Sequence, residues 1–287
     1  MKMERIAILL TVYNRREKTL ACLANIYRQK SIDNYLIDIY LTDDNSTDGT
    51  AEAVKEQFPQ VNIINGSGTL YWNRGMIAAW SEAVRKNDYD FYLWLNDDTV
   101  LIDEALRLLL NCSKEKDDKA IIVGATYGEN SGVVTYSGYE KNGKRILPDG
   151  TLQRCEYFNG NIVLIPKAVY HAVGMNDNRY SHSIGDFDYG LRANQKGIEA
   201  FVSSCVLGFC DRHNNIPIWC NPNYNFKKRW KSFISPLGAA PLEYFLFDRQ
   251  HKGLIKAYIG LIGSYIRCLF PQLFFKRMKN NNMYFNN

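Results

Sequence analysis

The stretch FYLWLNDDT, residues 91–99, joins a continuous apolar run to two adjacent carboxylates. An apolar run of this length is typical of a strand that is buried on both faces of a parallel sheet. Asp97 and Asp98 then stand where the strand ends. Two adjacent acids repel each other unless a cation or hydrogen-bond donors neutralise them, so this position predicts a ligand or metal site. The alternative is that Asp98 or Thr99 caps the helix that follows.

Strand and helix patterns alternate through the first 125 residues. The spacing of apolar residues predicts helices between the strands. Strands separated by such helices predict an α/β fold, with a Rossmann-like, mostly parallel central sheet flanked by helices. Ligands bind such sheets at the carboxyl ends of the strands, where the pairs at 43–44 and 97–98 both fall. The further predicted strands are residues 5–13, 36–42, 61–64 and 120–125, and the predicted helices are residues 17–29, 50–58, 73–86 and 103–112.

The sequence pattern changes at two later points along the chain, near residues 127 and 223. Residues 127–156 are punctuated by glycine and predict hairpins and loops, followed by strands at 162–166 and 200–209 with helices between them. Residues 223–287 are basic and aromatic, and they predict a helical tail. Its apolar segment at 254–270 is shorter than the roughly 20 residues that a membrane-spanning helix needs. A helix packed on the protein and a helix lying on a membrane surface both remain open.

The composition excludes several classes of protein. The chain has 287 residues, a net charge of +5, 46% hydrophobic and 23% charged residues, which indicates a folded protein. The basic excess is too small for a nucleic-acid binder but suits a phosphate-rich ligand or an anionic membrane surface. Seven cysteines without a Cys-x-x-Cys pair argue against a zinc ribbon and for a reducing compartment. The first apolar run is too short for a signal peptide, so we expect a cytoplasmic protein.

Three segments occur in an order and spacing that resemble the inverting family 2 glycosyltransferases. They are ILLTVYNR at 8–15, DDNSTDGT at 43–50 and LWLNDDT at 93–99. The resemblance covers roughly residues 5–215 and implies the GT-A fold in a domain of residues 1–222. Within that domain it implies a nucleotide-sugar half, about residues 1–125, and an acceptor half, about 126–222.

The same resemblance implies the donor site. The loop after the first strand and the acids after the second would hold the base and ribose of a UDP- or dTDP-sugar. The stretch GSGTLYWNRG at 66–75 resembles the family's glycine-rich loop, whose amides and arginine would meet the diphosphate. An arginine solvated at the helix start is the alternative for Arg74. The resulting nucleotide-binding set is Thr11, Tyr13, Arg15, Asp43, Asp44, Gly68, Trp72, Arg74, Asn96 and Asp97.

The family's metal motif, Asp-x-Asp, aligns with residues 96–98. Asn96 replaces the first aspartate, while Asp98 matches the usual ligand of Mn²⁺ or Mg²⁺. His213 follows an apolar strand at the place where many relatives have a histidine that completes the metal site. Imidazole beside carboxylate is a reasonable ligand set for Mn²⁺.

The segment GDFDYGLR at 185–192 resembles the family's Glu-Asp-x-Asp-x-x-x-Arg, with Gly185 in place of the glutamate. It implies that Asp186 is the catalytic base, since an attacking sugar hydroxyl must lose its proton. The alternative is that Asp186 and Asp188 only stabilise the N-terminus of a helix. The acceptor side would use Phe158, Asn159 and Gly160, together with Asp188.

Together with these residues, the resemblance implies a metal-dependent inverting glycosyltransferase. It would transfer a hexosyl or deoxyhexosyl group to a glycan or lipid-linked acceptor in bacterial surface-polysaccharide synthesis, like relatives that transfer rhamnose. Peripheral contact with the inner face of the membrane and a homodimer are further expectations. A non-catalytic relative that binds nucleotide-sugars or carbohydrate is the alternative. A sugar nucleotidyltransferase would need a glycine-rich loop with Arg and Lys after the first strand, which residues 11–14 do not supply.

Overall fold

The computed structural model describes residues 3–212 and 216–274, which divide into two compact units. The sheet unit comprises residues 3–178 and 185–212, and the tail unit comprises residues 179–184 and 216–274. The strands of the sheet unit are β1 (Glu4–Val12), β2 (Tyr35–Asp43), β3 (Asn62–Asn65), β4 (Phe91–Leu95), β5 (Val100–Leu101), β6 (Ile121–Tyr127), β7 (Val134–Tyr136), β8 (Gly138–Tyr139), β9 (Gln153–Cys155), β10 (Tyr157–Phe158), β11 (Ile162–Pro166) and β12 (Ala200–Phe209). Its helices are α1 (Arg16–Tyr27), α2 (Thr50–Gln57), α3 (Tyr71–Lys86), α4 (Ala105–Lys114), α5 (Lys167–Val173) and α6 (Gly185–Gln195).

One sheet organises this unit. Its main strand order is β3-β2-β1-β4-β11-β6-β12-β5, with β7 added beside β6 and β9 beside β12. The strands β3, β2, β1 and β4 run parallel, and β6 runs parallel to β12. Strand β11 is antiparallel to both of its neighbours. The first four strands therefore end at one edge, as the predicted βαβ units require.

Both faces of the sheet are covered by helices. Along β1, Ile6, Ile8 and Leu10 enter one apolar core, while Ala7 and Leu9 enter the other, because successive side chains of a strand point to opposite faces. Helices α1, α2 and α4 pack in the first core, and α3, α5 and α6 pack in the second. All five residues of β4 are buried, which is the pattern predicted for residues 91–95.

The tail unit is helical. It contains a short 3₁₀ helix (Ile218–Cys220) and the helices α7 (Phe226–Ile234), α8 (Pro241–His251) and α9 (Leu254–Leu269). Phe233 packs edge-on against Tyr265 of α9, with ring centroids 4.8 Å apart. The guanidinium of Arg229 is buried and donates to the backbone carbonyls of Tyr224 and Cys268, at 2.6 and 3.1 Å. No helix within residues 3–212 and 216–274 is long and apolar enough to cross a bilayer.

Candidate functional site

The acidic pairs flank one loop. Strand β1 lies between β2 and β4, with Val12 beside Asp43 on one side and Leu9 beside Trp94 on the other. The chain that leaves β1 at residues 13–15 therefore runs between the two acidic strand ends. The predicted meeting of these segments at the carboxyl edge of the sheet follows directly from the parallel pairing.

Arg15 bridges the acids that follow β4. Its Nη1 atom donates to Asp98 Oδ2 at 2.7 Å and to Asp97 Oδ1 at 3.2 Å. Asp97 is almost fully buried and also accepts a long bond from Thr19 Oγ1, whereas Asp98 is partly open. Burial raises the pKa of Asp97 to about 6, with Asp98 raising it further and Arg15 lowering it. The cluster thus contains a buried carboxylate whose pKa stays raised although the Arg15 guanidinium lies beside it.

Cys210, a side chain that the sequence pattern did not identify, supports Asp98. The thiol of Cys210, just after β12, lies 3.6 Å from Asp98 Oδ1. Burial, and then the charge of Asp98, raise the pKa of Cys210 to about 12, so the thiol stays protonated and donates. The Nδ2 atom of Asn161 lies 3.7 Å from Cys210 Sγ, and the backbone carbonyl oxygen of Asn161 accepts from the backbone N–H of Asn96 at 3.0 Å. The only signal for Cys210 was its place at the end of a strand.

Asp44 organises the glycine-rich loop. Its Oδ1 atom accepts from Gly68 N at 2.7 Å, and its Oδ2 atom accepts from the amides of Leu70 and Tyr71 at 2.9 Å. Gly68 has a φ of +83°, a conformation that favours glycine. Asp43 is equally buried and accepts from Ser46 N at 2.9 Å. Both acids therefore shape the loops around the predicted nucleoside site, and a carboxylate has room for about four bonds in all.

Trp72 connects the predicted metal motif to the acceptor side. Its Nε1 atom donates to Asn96 Oδ1 at 2.8 Å, and its ring packs edge-on against Trp94. A side chain at Gly160 would stand 2.5 Å from Trp72 Cζ2, so only glycine fits beside the indole. Asn96, which stands where the family motif has its first aspartate, thus has a defined hydrogen-bond partner, the indole N–H of Trp72.

Asp186 lies at the other side of Gly160. Its Oδ2 atom accepts from Gly160 N and its Oδ1 atom from Phe187 N, both at 2.8 Å. Burial raises the pKa of Asp186 to about 6, while the two amides lower it. A carboxyl group with this pKa is mostly ionised at neutral pH yet is a much better proton acceptor than a solvated aspartate.

A steric contact explains why glycine, rather than the family's glutamate, occupies position 185. A Cβ atom at this position would stand 2.0 Å from Asn73 Oδ1 and 2.4 Å from Asn73 Cγ. Asn73 is fully buried, donates to Asp177 O at 2.9 Å and accepts from Asn176 Nδ2 at 2.7 Å. The space that a glutamate would need is therefore filled by an asparagine from α3, which sequence reasoning had not singled out.

Three other predicted donor residues lie around the same edge. Thr11 packs against α3, where a side chain at Gly75 would stand 2.1 Å from its Oγ1 atom. Tyr13 is 55% exposed at the end of β1. Arg74 donates from Nε to Asn178 O at 3.1 Å. A contact of Arg74 with a diphosphate, as predicted, would therefore compete with the hydrogen bond from Arg74 to the backbone carbonyl of Asn178.

The predicted acceptor residues divide into buried and accessible ones. Phe158 and Asp188 are both fully buried, and Asp188 Oδ2 accepts from Arg192 Nε at 2.7 Å one helical turn away. This geometry favours a structural role for both, since neither reaches a surface where a sugar can bind. Asn159 is half-buried and accepts at Oδ1 from the hydroxyl of Tyr139 at 2.9 Å.

The carboxylates fit part of a divalent-metal site. Across residues 3–212 and 216–274, no group of three His, Cys, Asp or Glu side chains is arranged to hold an ion, and His213 lies outside the described residues. Mg²⁺ is usually bound by one or two carboxylates with waters and substrate phosphates. Asp98, with Asp97 behind it, suits that arrangement, because Arg15 already marks the position as one that attracts a cation.

Comparisons with known proteins agree with this architecture. TarS of S. aureus is 13% identical with a TM-score of 0.52, over 73% of this chain and 37% of TarS. The mannosyltransferase PcManGT of Pyrobaculum calidifontis, solved with GDP-Man and Mn²⁺, is 14% identical with a TM-score of 0.51, over 96% of this chain and 75% of its own. At these identities the likeness concerns the fold, and it confirms the GT-A class with a helical C-terminal region.

Comparison of the sequence with protein families identifies the family as well as the fold. No curated protein matches the chain. The model of the glycosyl transferase family 2, however, matches residues 7–176, which is more than half of the sequence and includes both acidic strand ends. The chain belongs to glycosyl transferase family 2.

Proposed function

We propose that this glycosyltransferase is a metal-dependent inverting enzyme that moves a sugar from a nucleoside-diphosphate sugar to an acceptor hydroxyl. The observation that supports this most is one chain of contacts. It runs from the acids beside Arg15 through Asn96 and Trp72 to Gly160 and Asp186. These contacts connect the carboxylates that we propose for the leaving group's side of the site with the carboxyl group that we propose as the proton acceptor.

In the proposed reaction, Asp186 takes the proton of the acceptor hydroxyl. The acceptor oxygen forms a bond to the anomeric carbon as the bond from that carbon to the diphosphate oxygen breaks. The electron pair of the broken bond leaves with the nucleoside diphosphate, and the configuration at the anomeric carbon inverts. The amides of Gly160 and Phe187 hold the carboxylate in place, so that no conformational search precedes the proton transfer.

Asp98 is the residue that would hold Mn²⁺ or Mg²⁺, with Asp97 behind it and His213 as a further proposed ligand. A divalent ion held there would supply positive charge that offsets the charge of the departing diphosphate. The raised pKa of Asp97 supports this role, because Arg15 is the only cation in contact with this acid pair among the described residues and a second cation would stabilise the ionised pair.

The donor's nucleoside would lie beside Thr11, Tyr13, Asp43 and Asp44. The exposed ring of Tyr13 offers a face for a base, and the buried acids keep the surrounding loops in position. We propose that the donor is a UDP- or dTDP-sugar with a hexosyl or deoxyhexosyl group. In this assignment residues 1–125 bind the donor and residues 126–222 bind the acceptor, a glycan or a lipid-linked saccharide.

The decisive experiment combines binding with turnover. A panel of nucleotide-sugars is screened by thermal shift with and without Mn²⁺, because a bound donor stabilises the protein by mass action. Transfer is then followed as release of nucleoside diphosphate. Asp186→Asn should retain the donor-induced shift and lose at least about 100-fold in transfer, the order that general-base catalysis contributes.

Asp98→Asn should instead remove the Mn²⁺-dependent part of the donor-induced shift. Asp33→Asn, a change of the same kind at an exposed position, serves as the control and should behave like the wild type. Near-full transfer by Asp186→Asn would refute the assignment of the base. Donor binding without turnover by the wild type, on any acceptor tested, would favour the non-catalytic alternative.

A further inference from the structure

Helix α9 carries an apolar face that the described residues leave uncovered. Ile255, Ile259 and Ile262 are 78%, 65% and 56% exposed. Residues three and four apart lie on one face of a helix, so these side chains form a continuous strip. Single exposed apolar residues are ordinary, but a contiguous strip marks an interaction site. The other exposed apolar residues on or just after this helix are Leu254, Tyr258, Ile266, Leu269, Phe270 and Leu273.

The opposite face of α9 is fixed in the tail unit. Ala257 and Cys268 are fully buried, and the ring of Tyr265 packs against Phe233 of α7. A side chain at Gly260 would stand 2.8 Å from a carboxylate oxygen of Asp248, which shows how closely α8 approaches. Helix α9 therefore has a buried face that holds it in place, and its isoleucine strip cannot turn inward without breaking these contacts.

Charge distinguishes between the partners that this strip could meet. Residues 223–287 contain eleven Lys and Arg residues but only two acids, Glu243 and Asp248, and Asp248 is the last acid of the sequence. Residues 1–222 contain 24 basic and 28 acidic residues, so the positive charge is concentrated in the tail. Two copies of such a segment repel each other, whereas an anionic lipid surface attracts each copy.

We propose that the tail unit docks on an anionic membrane surface through the isoleucine strip of α9, without crossing the bilayer. The exposed apolar side chains enter the region between headgroups and acyl chains, and the basic residues of the tail stay with the anionic headgroups. Lys252 and Lys256 flank the N-terminal part of the strip and are both exposed. The absence of a bilayer-spanning helix among the described residues agrees with a surface position.

Vesicle sedimentation with the full chain tests this proposal. The vesicles consist of phosphatidylcholine alone or of phosphatidylcholine with about a third of phosphatidylglycerol. Wild-type protein should sediment with the anionic vesicles, and added salt should weaken this binding because the Debye length shortens. The triple variant Ile255→Ser, Ile259→Ser, Ile262→Ser should lower the partition coefficient at least about 100-fold, since burial of each isoleucine contributes roughly a factor of ten.

The matched control is Val133→Ser with Leu147→Ser, which removes exposed apolar side chains from the sheet unit instead. It should bind vesicles like the wild type. Far-ultraviolet circular dichroism and light scattering report folding and mass for every variant. No binding of the wild type to anionic vesicles would overturn the proposal. So would a wild-type dimer that the triple variant converts to a monomer while vesicle binding stays unchanged, because the strip would then join two copies.

Vesicle binding is measured without any nucleotide-sugar. Its outcome is therefore independent of the transfer assay, and either proposal can fail while the other holds. The variant Lys256→Gln tests the electrostatic contribution to vesicle binding separately, because it leaves the isoleucine strip intact. It should weaken binding to the anionic vesicles by about fivefold and leave binding to neutral vesicles unchanged.

Discussion

Substitution of Gly185 by alanine tests the packing between α3 and α6. The new Cβ atom would stand 2.0 Å from Asn73 Oδ1 and 3.1 Å from Asn73 Cβ, well inside van der Waals contact. Gly185 is not in a left-handed conformation, so backbone strain contributes nothing and the effect is steric. Because Asn73 is fully buried, it cannot move away without giving up its bonds to Asn176 and Asp177.

The magnitude follows from those contacts. Overpacking of a well-packed interior costs about 1–3 kcal/mol, and displacement of Asn73 adds about 1 kcal/mol for each lost hydrogen bond. We therefore expect Gly185→Ala to lower the free energy of unfolding by about 3–5 kcal/mol. In a unit of this size that corresponds to a fall in Tm of roughly 6–20 °C. Urea unfolding followed by tryptophan fluorescence measures the change.

Two further variants make the measurement specific. Gly263→Ala introduces the same methyl group within α9, where a Cβ atom meets nothing within 4 Å, and it should gain up to about 1 kcal/mol. Asn73→Ala removes the two atoms that would be closest to the new Cβ, so the double variant with Gly185→Ala should be more stable than additivity predicts. Stability of Gly185→Ala within about 0.5 kcal/mol of the wild type, or full additivity, would refute the steric account.

Three other changes should have distinct signatures. Asp97 has a raised pKa in the folded state, so its ionisation destabilises the fold as the pH rises through about 6. Asp97→Asn should therefore raise the free energy of unfolding at pH 7.5 by about 1–3 kcal/mol and give no gain at pH 4. Urea titrations at the two pH values measure the difference. Trp72→Phe keeps a ring beside Gly160 but removes the donor to Asn96, and should cost about 1–2 kcal/mol in the same assay and raise the KM for the donor. For transfer itself, kcat/KM should fall tenfold per pH unit below about pH 6 as Asp186 becomes protonated; a flat profile from pH 5 to 8 would contradict a basic role for this carboxyl.

Most of the fold could be predicted from the sequence, because it depends on local patterns. The apolar runs at 5–13 and 91–95 identify strands that are buried on both faces, and helices between them require parallel pairing. Parallel pairing brings the strand ends together, which is why the acids at 43–44 and 97–98 could be placed at one edge. The insertion of β11 between β4 and β6 was not predictable, because the strand's apolar pattern does not reveal which neighbours it pairs with.

The site was harder to predict where this chain departs from its family. Asn96 and Gly185 both look like losses when each is compared with the family motif alone. In the structure each is matched by a neighbouring residue in the first turn of α3: the indole of Trp72 donates to Asn96, and the side chain of Asn73 fills the space above Gly185.

Trp72 and Asn73 are adjacent in sequence, so one turn of helix compensates for both departures. Residue spacing alone does not reveal these contacts. Trp72 contacts Asn96 and Asn73 lies against Gly185, and both partners are distant in sequence from α3. Because each departure is matched by its own contact from α3, restoring either family residue alone should be unfavourable. Gly185→Glu would collide with Asn73. Asn96→Asp would keep the oxygen that accepts from Trp72 but add a third negative charge beside Asp97 and Asp98, for which Arg15 is the only cation in contact among the described residues.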